Sequence, residues 1–305
     1  MKLGIVVVYM VREGSERLLD LHLEYIRRHT PTPYTIYGCV TRLASPLRAR
    51  LARDPAATLL DLPATKERKS EEHAHYLEQL ISIALEDGAT HVATLHVDSF
   101  PVRSGWFEDL ARPLTPGCPF AAAVRDNRLD RKPFTAGMLI SRDFLRERRP
   151  RFLLSEAERA SADYRRYRRR FRHHPDSGVG YGFLAFREGL EWLPLERTNR
   201  GEDHCHFGSI YGDAFFHLGA AGWKRKDFPG SRGPTAALDV RARLSSRLAR
   251  LLPDRVRIGI KRAVNRTVPA LDIGRKYAAN ERAFELVRTR LFADPDSYIR
   301  YLRFG

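Results

Sequence analysis

Two hydrophobic rhythms alternate along the first half of the chain. Leu3 to Tyr9 is an apolar run of strand length, and between Ser15 and Arg28 the residues Leu18, Leu19, Leu21, Leu23 and Ile26 return at helical spacing. The run predicts a buried strand, and the 3.6-residue period predicts a helix packed on a sheet. Tyr34 to Val40 and Ala57 to Leu62 repeat the strand signal, and Ser70 to Glu86 repeats the helical one, with Leu77, Leu80, Ile81 and Ile83 inward. Val92, Ala93, Leu95 and Val97 read as a further buried strand. Phe100-Pro101 and Ser104-Gly105 break it before a helical stretch from Trp106 to Leu110. Strands and helices alternating over short connections predict an α/β fold, a mostly parallel sheet flanked by helices.

Beyond Leu110 the pattern loosens. Phe120 to Val124 and Phe134 to Ser141 predict two strands, Ser177 to Glu188 a Gly-rich turn and helix, Leu190 to Leu195 a strand, and Tyr211 to Leu218 a last short strand or loop. The sheet is expected to end near Trp223, and Pro229-Gly-Ser-Arg-Gly-Pro234 is a dense turn signal. The expected organisation is therefore a sheet domain over 1–228, interrupted by a basic insertion over 146–174, and a basic helical C-terminal region over 235–305.

Charge sharpens this division. Of the formal +16, the window from Arg146 to Arg172 holds 11 basic and 4 acidic residues, and the window from Arg241 to Gly305 holds 16 and 6. The rest of the chain is close to neutral, so two cationic surfaces are attached to a body of nearly zero net charge. Tyr164, Tyr167 and Phe171 interleave with the arginines of the first window, as on a solvated helix or one facing a polyanion. In the second, Leu244, Leu248, Leu251 and Leu252 form an apolar stripe among arginines, and Phe284, Val287 and Leu291 repeat the theme. Such stripes suit a packing helix or peripheral contact with an anionic membrane. No apolar run approaches the roughly 20 residues that span a bilayer. The opening run, followed by Arg12-Glu13 without a small-residue cleavage site, reads as a strand rather than a leader. Cys39, Cys118 and Cys205 are odd in number and widely spaced, which points to a reducing, cytoplasmic setting.

Three polar clusters carry candidate chemistry. The first is His96-Val97-Asp98, at the carboxyl end of a predicted strand, where open α/β sheets bind ligands. On a continuous strand, positions 96 and 98 point to one face, so both side chains reach one ligand. The second is Asp176-Ser177-Gly178 at a predicted helix start, where an acid serves as N-cap or as a base beside substrate. The third runs from Gly201 to His206 and on to His217, with Asp203, His204, His206 and His217 as possible zinc ligands. Adjacent residues seldom aim at one tetrahedral ion, and no Cys-x-x-Cys spacing supports zinc. A site built on Asp98 and a histidine suits magnesium or manganese better.

The order of elements, the segment Ser70-Glu-Glu-His73-Ala-His-Tyr-Leu77, the strand ending His96-Val-Asp98 and the trailing Val102-Arg-Ser-Gly-Trp106-Phe-Glu-Asp-Leu110 together resemble the family-two type of GT-A (Rossmann-like) glycosyltransferases. The resemblance covers roughly Met1 to Trp223. It departs at one point, because His96 stands where the family's Asp-x-Asp motif has its first acid. What the resemblance implies is transfer of a sugar from a nucleotide-diphosphate donor to a glycan or lipid-linked acceptor, inverting and assisted by Mn2+ or Mg2+. Asp98, His217 and His96 would then be metal ligands, and Tyr9, His73, His96 and Asp98 would line the nucleotide sugar. Asp176 is the preferred base, with Glu202-Asp203 as the alternative acidic pair. Rival readings are a nucleic-acid-binding basic protein and a catalytically inactive scaffold of the same fold. Against the first stands the lack of zinc-finger spacing, an RNA-recognition signature or a clear helix-turn-helix.

Overall fold

The computed structural model describes residues 1–11, 14–126, 130–171, 176–219 and 270–305. A seven-stranded sheet is assembled from β1 (Leu3–Val8), β2 (Tyr34–Cys39), β3 (Ala57–Leu60), β4 (His91–Leu95), β6 (Phe120–Asp126), β7 (Asp130–Ser141) and β8 (Leu193–Leu195) in the order β3-β2-β1-β4-β7-β6-β8. The pairs β3–β2, β2–β1, β1–β4 and β6–β8 are parallel, while β7 runs antiparallel to both β4 and β6. The mostly parallel α/β sheet expected from the sequence is what forms. A second, antiparallel sheet of order β5-β10-β9 joins β5 (Ser99–Pro101), β9 (Ser209–Tyr211) and β10 (Phe215–His217).

Alternation along β1 divides the core. Leu3, Ile5 and Val7 face one layer with α1 (Glu16–His29), α2 (Ser45–Leu51) and α4 (Trp106–Ala111). Val6 and Val8 face the other, with α3 (Ser70–Glu86), α5 (Arg142–Arg148) and α8 (Val179–Glu188). A strand covered on both sides has to be apolar at every position, which is why the period-2 signal is missing from Leu3–Val8. In α3 the buried residues are Glu72, Ala74, Tyr76, Leu77, Leu80, Ile81 and Ala84. Ile83, expected inward, is only partly buried at the margin of the layer.

Two sequence expectations need correction, and one alternative left open resolves toward packing. Phe100-Pro101 is not merely a break, since β5 pairs with β10 there, and an edge strand tolerates the missing proline N–H. Tyr164 and Tyr167, on α7 (Ala162–Arg170), are buried against Phe183 of α8, so these rings are packing residues and are not available for base stacking. Phe284, Val287 and Leu291 do not form an open stripe. They lie on α9 (Ala270–Ala293), and with Tyr298, Ile299 and Leu302 of α10 (Pro295–Phe304) they bury Phe100, Phe207, Ile210 and Phe216 of the small sheet and its loop. The start of α6 (Glu156–Ala160) is set by Ser155, whose hydroxyl accepts from the Glu158 N–H in a capping box, and Ser161 joins α6 to α7, its hydroxyl accepting from the Tyr164 N–H. Trp223, the Pro229 to Pro234 signal and the Leu244 to Leu252 stripe lie outside the described residues. No helix among the described residues is long and apolar enough to cross a membrane.

Candidate functional site

β4 ends at Leu95, one residue before the first candidate ligand. His96 to Ser99 then form a turn closed by the Ser99 N–H donating to the His96 carbonyl at 3.0 Å, with the Ser99 hydroxyl accepting from the His96 N–H at 2.8 Å. His96 and Asp98 therefore meet through this turn, and the strand alternation expected for them does not apply. β5 follows directly and pairs Ser99 with His217 of β10, while the Leu218 N–H donates to the Asp98 carbonyl at 2.9 Å. That register carries His217 to Asp98, with Nε2 and Oδ1 3.4 Å apart and both side chains buried.

His96, Asp98 and His217 each offer a ligand atom within 4.8 Å of the others. A two-imidazole, one-carboxylate set suits a first-row divalent cation, manganese among them. Imidazoles bind metal only when neutral. Desolvation holds the His96 ring well below its ordinary value, reinforced by His73 and His217 and opposed by Asp98 and Asp176, so His96 is neutral at physiological pH. The residues present thus fit such an ion. The Phe134 ring walls the set, with its centroid 5.4 Å from His96 and 5.2 Å from His217.

A layer of buried polar groups supports these side chains. His96 Nε2 is 3.0 Å from the Thr135 hydroxyl of β7, which lies 3.5 Å from the Ser177 hydroxyl. The Thr94 hydroxyl donates to the Thr135 carbonyl at 2.8 Å. Below the turn, His22 Nδ1 bonds the Ser99 carbonyl at 2.8 Å and its Nε2 faces the Tyr9 hydroxyl at 3.3 Å. Burial lowers His22 to about 4, against the opposing effects of the Ser99 bond and the Asp98 charge, and burial raises Tyr9. Tyr9 is only 1% exposed, so it buttresses the turn from beneath.

His73 sits in the first turn of α3 and meets the His96 ring edge-on at 5.0 Å. Desolvation lowers it to about 4, opposed by the Asp176 charge. Asp176 therefore acts electrostatically on both His73 and His96. Its Oδ1 accepts from the Ser177 N–H at 2.8 Å, in the turn leading into α8. That turn requires Gly178: its φ is +93°, and a Cβ there would stand 2.1 Å from the Pro133 carbonyl oxygen. Between the starts of α3 and α8 opens a cavity of about 220 Å³ lined by Ser70, Val179, Arg68, Lys69 and Arg159.

Glu202 and Asp203 are engaged elsewhere. Arg197 pairs with Glu202 at 3.2 Å, and Arg290 of α9 donates to both Asp203 oxygens at 2.6 and 2.7 Å. His204 Nδ1 accepts from the N–H groups of His206 and Phe207, and its ring stacks on Phe207 at 4.3 Å. Among the described residues the zinc set Asp203, His204, His206 and His217 is not assembled, because His217 belongs to the Asp98 cluster. Sequence reading missed Thr135 and Lys132, both on β7. A polar residue within an apolar strand was the signal for Thr135.

The sequence matches no protein-family profile and no curated protein. Solved structures with partial likeness include mouse xyloside xylosyltransferase 1 in its apo form, at 11% identity and TM-score 0.40 over 64% of this chain and 85% of that one. A197 from STIV aligns at 11% identity and TM-score 0.38 over 72% and 94% of the two chains. The mannosyltransferase PcManGT from Pyrobaculum calidifontis, in complex with GDP-Man and Mn2+, aligns at 12% identity and TM-score 0.41 over 98% and 85%.

Proposed function

We propose that this chain is a metal-assisted glycosyltransferase that moves a sugar from a nucleotide-diphosphate donor to a hydroxyl of a glycan or lipid-linked acceptor. The observation that carries this reading is the convergence of His96, Asp98 and His217 at the carboxyl end of β4, with Asp176 acting on the same histidines. Asp98, His217 and His96 would hold a divalent cation, Mn2+ or Mg2+, which when bound would neutralise charge growing on the departing diphosphate. Asp176 takes the proton of the acceptor hydroxyl, whose oxygen attacks the anomeric carbon from the face opposite the diphosphate and inverts it. Asp176 is preferred to Glu202 and Asp203 because its charge acts on His73 and His96 beside the cation cluster, whereas Glu202 pairs with Arg197 and Asp203 with Arg290. His73 and the His96 ring border the space for the sugar nucleotide, and Tyr9 acts through His22 on the turn that carries Asp98.

The test is donor turnover. With Mn2+ and a panel of nucleotide sugars, at least one donor is expected to be bound and slowly hydrolysed. Asp98→Ala is expected to lower that rate at least about a hundredfold, as loss of a metal ligand does. If no donor is bound or hydrolysed, and Asp98→Ala leaves Mn2+ affinity unchanged, the enzyme reading falls.

A further inference from the structure

Lys132 is a buried cation for which the proposed chemistry has no use. It lies on β7 two residues before Phe134 and is only 2% exposed. Its ammonium donates to the Ser177 carbonyl at 3.1 Å and stands 5.5 Å from the centroid of the Phe134 ring. Those are its partners among the described residues, and no carboxylate is paired with it there. An ammonium carries three donors and is strongly hydrated in water, so among the described residues one carbonyl and one ring face leave it short of both hydrogen bonds and opposite charge.

Its position gives that deficit meaning. The Phe134 ring that Lys132 approaches also contacts His96 and His217, and the carbonyl it holds belongs to the residue after Asp176. Lys132 therefore links, through Phe134 and the Ser177 carbonyl, the wall of the cation cluster to the turn that carries the candidate base. A divalent cation and an ammonium in neighbouring walls carry three positive charges against the two of Asp98 and Asp176, and the excess favours a further negative group between them. Lysine is a recurrent point-charge partner for phosphate.

We infer that Lys132 is a substrate-anchoring residue whose ammonium receives a phosphate-type oxyanion inside the candidate site. Two sources share this chemistry: the diphosphate of the donor, and a phosphate carried by the acceptor. The inference takes the location of substrate from the proposed function, but the two fail separately in the following experiment. The full chain, Lys132→Met and Lys132→Gln are compared by titration calorimetry with pyrophosphate in the presence of Mn2+, and with orthophosphate in the absence of metal. Glutamine keeps a donor for the Ser177 carbonyl without the charge, so it separates anion binding from the structural hydrogen bond, and thermal melts confirm that each variant is folded. Both variants are expected to lose affinity on the order of tenfold or more, in line with a hydrogen bond to a charged group. A loss confined to pyrophosphate with Mn2+ assigns Lys132 to the donor, and a loss of metal-free orthophosphate binding assigns it to the acceptor. Lysine-dependent orthophosphate binding without turnover of any nucleotide sugar keeps the anion site and removes the glycosyltransferase. The inference is overturned if the unaltered chain binds neither probe, or if both variants bind as it does.

Discussion

At the scale of single residues, the candidate site is maintained by groups held in one protonation state. His22 is the clearest case: it is fully buried, lowered to about 4, and bonded to the Ser99 carbonyl behind Asp98. Because its folded value lies below the 6.5 of a free imidazole, the unfolded chain binds the extra proton first as pH falls. The stability contributed by neutral His22 is complete above pH 6.5 and is lost as pH drops from 6.5 to about 4. For a shift of this size the loss is about 3 kcal/mol. Urea unfolding across that window is expected to show the decline, and His22→Gln to make it shallower by the share of His22, while His73 and His96 still contribute. An equally steep decline in the variant would contradict the assignment. None of this was legible in the sequence, where His22 is one more residue on a leucine-rich helix. Asp98 was legible, as an acid ending an apolar run, and His217 as one possible metal ligand of a later His-rich stretch, but that the two belong together came into view only through the family resemblance. Its approach to Asp98 depends on the register of β5 with β10, two short strands far apart in the chain.

At the scale of elements, sequence reading succeeded where one element carries its own periodic signal and failed where an element exists only by virtue of a partner. The expected and observed limits of α3 coincide at Ser70 and Glu86. β5, three residues containing a proline, has no independent signal and forms because β10 supplies its hydrogen bonds. α2 was unread because its Ser-Pro start resembles a turn, although proline near the first helical position is a regular helix opening. The turn before α8 joins both kinds of information. A Gly-rich stretch was expected there, but the need for Gly178 comes from Pro133 on a different strand. Gly178→Ala combines a positive φ with a Cβ 2.1 Å from a backbone oxygen, and the Pro133 backbone has to move. It is expected to cost at least about 2 kcal/mol in chemical denaturation. Because Asp176 and the Ser177 carbonyl ride on the same turn, Lys132-dependent anion binding is expected to fall with it. A stable Gly178→Ala protein with unchanged binding would show that the turn relaxes without cost.

At the scale of the whole molecule, charge suggested a nearly neutral body with two attached cationic surfaces, one of them the C-terminal region, and hydropathy alone did not distinguish a packing stripe from a membrane-facing one. The answer lies in which surface of the body is incomplete. The small sheet presents Phe100, Phe207, Ile210 and Phe216, and these are buried by Phe284, Val287 and Leu291 of α9 with Tyr298, Ile299 and Leu302 of α10. Polar contacts reinforce the docking: Tyr25 and Arg28 of α1 both donate to Asp296, and Arg290 clamps Asp203. The same small sheet carries His217 in β10 and fixes the strand that follows Asp98. A change in the C-terminal helices should therefore reach the candidate cation cluster through packing alone. Leu291→Ala removes a fully buried side chain from this interface and is expected to lower stability by about 2–5 kcal/mol. Under conditions where the variant is still folded, Mn2+ affinity measured by titration is expected to fall too, because a loosened small sheet no longer holds His217 at 3.4 Å from Asp98. The control is Leu51→Ala on α2, equally buried but in the layer with β1, which should lower stability while leaving Mn2+ affinity close to that of the unaltered chain. Equal effects of the two substitutions on Mn2+ binding would mean that the cluster tracks global stability and owes nothing particular to the C-terminal helices.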